Sequence, residues 1–237
     1  CRQEGVREVF FTLWGDDGAY CDFDSALAGL AWVAERAYAS DLTKLPARFR
    51  AVCGADYAAV VAASAITEGG PVAFLWDDPI LGILANEGLP EQPWPVLPDW
   101  SADPGPSAAG DLAHARLLAE VLKRKLDLRM RLVTAYDQRD EAGLRAVVAD
   151  AGKVASLFED LEVSWRRGWM RRNKPQGYEL IQLRLAQQAM RHRELARRVE
   201  ELITGQVSSI PELEDRPRQA RSLPAHWRFL ASGSVAL

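Results

Sequence analysis

The sequence contains few of the residues that build metal centres and disulfide frameworks. Its 237 residues include three cysteines and three histidines. They are widely scattered, and no Cys-x-x-Cys or Cys/His spacing typical of a zinc site is present. We therefore predict no metal and no other cofactor, and we interpret the cysteines as reduced, as in a cytoplasmic protein.

Long apolar runs and blocks of like charge are also absent. No stretch is apolar over the ~20 residues that a membrane-spanning helix needs. Lysine and arginine together number 29 against 33 aspartates and glutamates, which gives a formal net charge of −4. We expect neither nucleic acid nor a membrane as a partner. The 48% of hydrophobic residues can form one large domain or two small ones.

The first forty residues have the pattern of a strand followed by a helix. Val6 to Trp14 is short and rich in β-branched and aromatic residues, and the Gly-Asp-Asp-Gly sequence of residues 15–18 would end it. Asp24-Ser25 then predicts the start of a helix that runs to about Ala39. A lone strand leaves its backbone groups without partners, so we expect neighbouring strands in a part of the protein outside this chain.

The rest of the chain has mainly helical periodicity. Three long amphipathic helices joined by short connections predict an antiparallel bundle. Residues 73–84 carry no clear pattern, residues 86–106 are typical of a long loop, and the last twelve residues predict an edge strand. The predicted short helices span 44–52 and 56–66, and the long helices span 111–136, 140–170 and 178–204.

Polar residues follow the predicted first strand directly. Trp14, Asp16 and Asp17 stand where a parallel α/β barrel places its ligand site, at the carboxyl end of a strand. A tryptophan ring can pack on the apolar face of a sugar while a neighbouring carboxylate accepts hydrogen bonds from its hydroxyls. The alternative is that Trp14 fills a core and the two acids only shape the turn.

The segment "VFFTLWGDDGAYCDFDSALAGLAWVAERAY" resembles the last barrel strand and helix of family 20 glycoside hydrolases, the β-N-acetylhexosaminidases. It is most similar to the bacterial subgroup with a helical C-terminal domain, in which T-x-W-G-D-[DN]-G-A-E-C is typical. Tyr20 stands where that subgroup usually has glutamate, so no role is carried over to it. Further similar segments follow in order: "LWDDPILGI", "WRRGWMRRNKPQGYELIQLRL", "IPELED" and "RFLASGSV".

The resemblance implies a mainly α fold with two parts. Residues 1–42 would be the last βα unit of an incomplete (β/α)8 catalytic barrel. Residues 43–237 would form a helical C-terminal domain with long antiparallel helices and a short edge strand at the C-terminus. In the family, a Trp-x-acid motif after the last strand binds the terminal N-acetylhexosamine, which implies sugar-binding roles for Trp14 and Asp16; Asp17 is a weaker candidate.

The resemblance also implies the activity of the whole protein. Such enzymes are retaining exo-glycosidases that remove terminal β-linked N-acetylglucosamine or N-acetylgalactosamine, with the substrate's acetamide oxygen as nucleophile and an Asp-Glu pair assisting. That pair follows an earlier barrel strand, so we expect this chain to be an inactive C-terminal fragment. The expected partners are N-acetylhexosamine-terminated glycans and, in the full-length enzyme, a second copy.

Other candidate residues favour structural interpretations. Asp78, before Pro79, predicts a turn or cap more strongly than a ligand contact. The tryptophans at 165 and 169 share a helix face and predict packing, although a place at the substrate cleft or a subunit contact stays open. The acid pairs at 140–141, 159–160 and 214–215 predict solvated surface.

Two other functions stay open. The chain would be a self-contained helical interaction module if its first strand is incidental. A barrel glycosidase that acts on unsubstituted hexosides is the second alternative.

Overall fold

The computed structural model describes residues 4–6, 8–13, 26–38, 41–67, 71–82 and 112–216. Within these ranges the protein is mainly helical, which confirms the predicted helical domain. The helices are α1 (Leu27–Tyr38), α2 (Leu45–Cys53), α3 (Tyr57–Ala63), α4 (Leu112–Gln138), α5 (Glu141–Arg172), α6 (Tyr178–Ile203) and α7 (Pro211–Glu214). Short 3-10 helices span Leu42–Lys44, Ser64–Thr67 and Pro71–Trp76.

Local signals in the sequence set the ends of the short helices. Gly54 has φ +70° and ends α2, a left-handed conformation that glycine adopts without strain. Asp56 begins α3, where its carboxylate accepts a 3.0 Å hydrogen bond from the backbone amide of Ala59. The two helices predicted on either side of Cys53-Gly54 are therefore present.

The three long helices form the main core. Helix α5 packs against both α4 and α6. The chain passes from α4 to α5 within two residues and from α5 to α6 within five, so consecutive helices run antiparallel. Their facing side chains include Leu118, Leu132, Phe158, Leu185 and Leu195, all with no more than 1% of their surface exposed. This arrangement is the predicted bundle.

A second, smaller core joins the short helices to the bundle. Ala28 of α1, Phe49 of α2 and Val60 of α3 are buried together with Leu112, the first residue of α4. Phe49 also contacts the ring of Tyr57 edge to face, with 5.3 Å between centroids. The start of α4 thus belongs to both cores.

The predicted first strand is not formed among the described residues. Residues 8–13 have no strand pairing, and Val9, Phe10 and Phe11 are 51%, 89% and 57% exposed. A strand exists only through hydrogen bonds to a neighbouring strand, and the described part of the chain supplies none. The predicted C-terminal edge strand, residues 226–237, lies outside the described residues.

Candidate functional site

The predicted sugar-binding residues Trp14, Asp16 and Asp17 lie outside the described residues. Their roles therefore stay predictions. The chain that borders them is described: Leu13 precedes them, and Ala26 follows them at the start of the first helical segment.

A groove lies where the chain enters and leaves this stretch. Its volume is about 510 Å³, and Leu13 and Ala26 both line it. Most of its other side chains are apolar, among them Phe11, Trp32 and Val61. Such a lining favours contact with other apolar protein surface over hydrogen bonding to sugar hydroxyls.

A buried polar cluster lies between α4 and α6, around the segment Phe74–Gly82, which we call the strap. The strap includes the sequence "LWDDPILG", and residues 74–80 and Gly82 are all buried. Four side chains, which we call the clamp, hold the strap. They are Lys125 and Arg129 from α4, and Gln188 and Arg191 from α6.

Lys125 is the centre of the cluster and is 4% exposed. Its ammonium donates hydrogen bonds to the carbonyl oxygen of Leu75 at 2.8 Å, to that of Asp77, and to Oε1 of Gln188 at 2.8 Å. Burial lowers the pKa of Lys125 to about 7, against the opposing charges of Asp77 and Asp78. The protonated amine has three protons for these three acceptors, so the hydrogen bonds favour the cation against the desolvation that lowers its pKa.

Two further side chains bind other carbonyl groups of the strap. Gln188 donates from Nε2 to the carbonyl oxygen of Trp76 at 2.9 Å. Arg129 donates to the carbonyl oxygens of Pro79 at 3.1 Å and Ile80 at 2.8 Å. These side chains thus bind the strap through its backbone carbonyl groups.

Asp78 fixes the turn inside the strap. Its Oδ1 accepts hydrogen bonds from the amides of Ile80 at 2.8 Å and Leu81 at 2.9 Å, and Nε of Arg191 lies 2.6 Å from Oδ2. Burial raises the pKa of Asp78, but the hydrogen bonds and charge of Arg191 and the two amides hold the pKa below its ordinary value. The interpretation of Asp78 as a turn or cap residue is confirmed.

Gly82 ends the strap against the guanidinium of Arg129. Its φ is +60°, and a Cβ at this position would lie 2.4 Å from Nη2 of Arg129. Both the backbone conformation and the close approach require glycine here.

The strap cluster is a structural site rather than a catalytic one, because its polar groups are committed to one another and to the backbone. Sequence reasoning did not identify these clamp residues. Lys125 and Arg129 occupy core-facing positions of α4, between Val121, Leu122 and Leu132, and a charged residue at such a position is a signal that was available.

The tryptophans at the end of α5 pack as predicted. Trp165 lies 5.9 Å from the ring of Trp76 and 5.3 Å from that of His114, measured between centroids. Trp169 donates from Nε1 to the carbonyl oxygen of Lys174 at 2.8 Å and packs near Tyr178. These described contacts are all within the chain.

The three acid pairs of the C-terminal half are exposed, as predicted. Glu141 binds Arg145, Glu159 binds Arg193, and Glu214 accepts from the hydroxyl of Tyr136. Across the described segments, no His, Cys, Asp or Glu residues group as metal ligands, and no helix is long and apolar enough to cross a membrane.

Comparison with known protein families assigns the helical bundle to one of them. The sequence profile of the Glycoside Hydrolase 20C C-terminal domain matches residues 101–223, just over half of the chain. The chain belongs to glycoside hydrolase family 20. The family match covers α4 to α7 and therefore includes all four clamp residues, while α1 to α3 and the strap precede it. No curated protein matches the family 20 chain.

Proposed function

We propose that the protein containing this chain is a retaining exo-β-N-acetylhexosaminidase. It would remove terminal β-linked N-acetylglucosamine or N-acetylgalactosamine by substrate-assisted catalysis. The observation that carries this proposal is the family 20 match over the helical bundle, which also favours an enzyme over a self-contained interaction module.

Residues 1–42 would supply the last βα unit of the catalytic barrel. Two features support this: the exposed apolar side chains of residues 9–11 and the apolar groove beside them. The rest of a barrel would cover these side chains and supply the missing neighbouring strands. The catalytic Asp-Glu pair would come from an earlier strand. The 237-residue chain alone is then expected to be inactive.

In the assembled barrel, Trp14 would stack on the sugar and Asp16 would accept hydrogen bonds from its hydroxyls, with Asp17 as a weaker candidate. The experiment is to measure kcat/KM of the full-length enzyme on an aryl N-acetylglucosaminide, with Asp16→Ala as the variant. Loss of a hydrogen bond to a charged group weakens transition-state binding by about 1–3 kcal/mol, or roughly 5- to 150-fold in kcat/KM.

The same assay separates the alternatives. The full-length enzyme is also assayed on an aryl glucoside. Activity on the aryl glucoside and none on the aryl N-acetylglucosaminide would assign the enzyme to unsubstituted hexosides. An unchanged kcat/KM in Asp16→Ala would remove this residue from the site. If the reading frame before residue 1 encodes no barrel strands with an Asp-Glu pair, the interaction module becomes the better assignment.

We also propose that the full-length enzyme is a homodimer that uses the outer face of α6. Leu180, Leu183 and Met190 are each more than half exposed and share the side of α6 opposite the residues that pack on α5. Leu183→Glu should convert the enzyme to a monomer in sedimentation analysis. Val52→Glu, at an exposed position of α2, is the control. A dimer that survives Leu183→Glu would refute this use of α6.

A further inference from the structure

The end of α5 and the turn after it carry a concentration of positive charge. Five cations fall within nine residues, and no acidic residue occurs between residues 163 and 178. With the bordering acids Glu162 and Glu179 counted, residues 162–179 still have a net charge of +3, in a chain whose formal net charge is −4. The five cations, which we call the basic end, are Arg166, Arg167, Arg171, Arg172 and Lys174.

The basic end is exposed, and its turn is held in one conformation. Only Arg172 is partly buried, and the other four side chains are exposed. The amide of Asn173 donates to the carbonyl oxygen of Trp169 at 2.8 Å, and Nε1 of Trp169 donates to the carbonyl oxygen of Lys174 at 2.8 Å. A binding partner would therefore meet a surface whose backbone is already ordered.

Stabilisation of the helix accounts for only part of this charge. Arg171 and Arg172 lie in the last turn of α5, where the helix dipole favours cations. Arg166 and Arg167 lie more than a turn earlier, and Lys174 follows the cap. Arg167 and Arg171 are also four residues apart, a spacing at which like charges destabilise a helix. The concentration of charge thus favours recognition of an anion over helix stability.

The basic end lies near the start of α1. Trp165, which directly precedes it, packs on His114 in the first turn of α4, with 5.3 Å between ring centroids. Leu112, the first residue of α4, belongs to the same small core as Ala28 in the first turn of α1. The predicted sugar-binding residues precede that end of α1 in the chain.

We propose that the basic end is a subsite for anionic groups, sulfate or carboxylate, on the glycan beyond its terminal N-acetylhexosamine. This inference rests on the proposed function and adds a preference for acidic substrates. Arginine suits such groups, because its planar guanidinium donates two parallel hydrogen bonds to an oxyanion. Residues 166–172 rise by about 9 Å along the helix axis, so the cations are spaced for an extended polyanion rather than for one small ion.

Binding of hexasaccharides to the 237-residue chain tests the subsite without catalysis. Chondroitin sulfate carries sulfate and carboxylate groups, hyaluronan carries carboxylates alone, and a chitin hexamer is neutral. In isothermal titration calorimetry at low salt, we expect chondroitin sulfate to bind and the chitin hexamer to bind far more weakly. Binding of hyaluronan too would assign carboxylates to the subsite, and binding of chondroitin sulfate alone would assign sulfate. The binding should be lost in about 1 M salt, where the screening length falls to about 3 Å.

The substitutions Arg167→Gln and Arg171→Gln together make the test variant, because both side chains are exposed. Loss of two exposed charge pairs should weaken the binding of chondroitin sulfate roughly 2- to 30-fold. The matched control combines Arg193→Gln and Arg197→Gln on α6, which have the same spacing and also form surface ion pairs. An unchanged affinity in the test variant, or an equal loss in the control, would overturn the proposal.

The full-length enzyme gives a second readout. Its substrates are two aryl disaccharides that end in N-acetylglucosamine, one with a sulfate on the second sugar and one without. The test variant should raise KM for the sulfated disaccharide roughly 2- to 30-fold and leave kcat unchanged. Its kcat/KM on the unsulfated disaccharide should equal that of the wild type.

Two results with the full-length enzyme would overturn the subsite. Equal effects of the test variant on both disaccharides would show a structural role, and loss of a dimer in sedimentation would assign the basic end to a subunit contact. Absence of any N-acetylhexosaminide hydrolysis by the wild type would instead refute the proposed function. The binding measurement on the 237-residue chain separates the two failures, since it requires no catalytic residues.

Discussion

Replacement of Lys125 by methionine tests whether the clamp holds the strap. Methionine keeps most of the length and apolar character of the lysine stem and removes the ammonium. The substitution leaves two backbone carbonyls, of Leu75 and Asp77, and the Oε1 of Gln188 without their donor. It also removes the cation that faces Asp77 and Asp78.

The magnitude follows from these losses. A buried polar group that loses its partner costs about 1–3 kcal/mol, and removal of one member of a buried charged cluster costs about 3–5 kcal/mol. Relief of the ammonium's own desolvation offsets part of the sum, since burial already lowers the pKa of Lys125 to about 7. We expect a net loss of about 3–5 kcal/mol in the free energy of unfolding. Two of the three acceptors are backbone carbonyl oxygens, so they stay in place and without their donor in the variant.

Urea denaturation followed by circular dichroism measures this loss. With a slope of about 2 kcal/mol per molar urea, the midpoint should fall by roughly 2 M. The control is Lys153→Met on α5, because Lys153 is 66% exposed and pairs with Asp150 at the surface. It should change stability by less than about 0.5 kcal/mol. A Lys125→Met variant within about 1 kcal/mol of the wild type would refute the clamp.

Two further outcomes can be checked on the same chain. Gly82→Ala should destabilise the protein by about 1–3 kcal/mol in the same assay, since it combines a left-handed φ with a contact against a guanidinium. Gly152→Ala, in the middle of α5 with open space around it, should instead stabilise the protein by up to about 1 kcal/mol. If both substitutions changed the free energy of unfolding in the same direction, the close approach of Gly82 to Arg129 would be contradicted. The isolated chain should bind a hydrophobic dye and self-associate through the exposed side chains of Phe10 and Phe11, and the double substitution to serine should reduce both effects. A dye-silent monomeric wild type would speak against an apolar surface that awaits a barrel.

The clearest successes of sequence reasoning were the long helices. The predicted segments 111–136, 140–170 and 178–204 agree within a few residues with α4, α5 and α6. Apolar residues at helical spacing, with short polar connections, are a local signal that does not depend on distant contacts. The segment 73–84 could not be predicted; its described part, the strap, is held by α4 and α6 side chains some fifty and more than a hundred residues away.

The sequence alone therefore determined the bundle and the resemblance to family 20, and it proposed Trp14, Asp16 and Asp17 for sugar binding. The tertiary structure alone decided how the polar residues of the helices are used. In the sequence, Lys125 and His192 look like other polar residues of an amphipathic helix. Only the fold removes them from water and surrounds them with carbonyl groups, aromatic rings and other charges. Desolvation and hydrogen bonding at long sequence separation, rather than local propensity, give these two residues their properties.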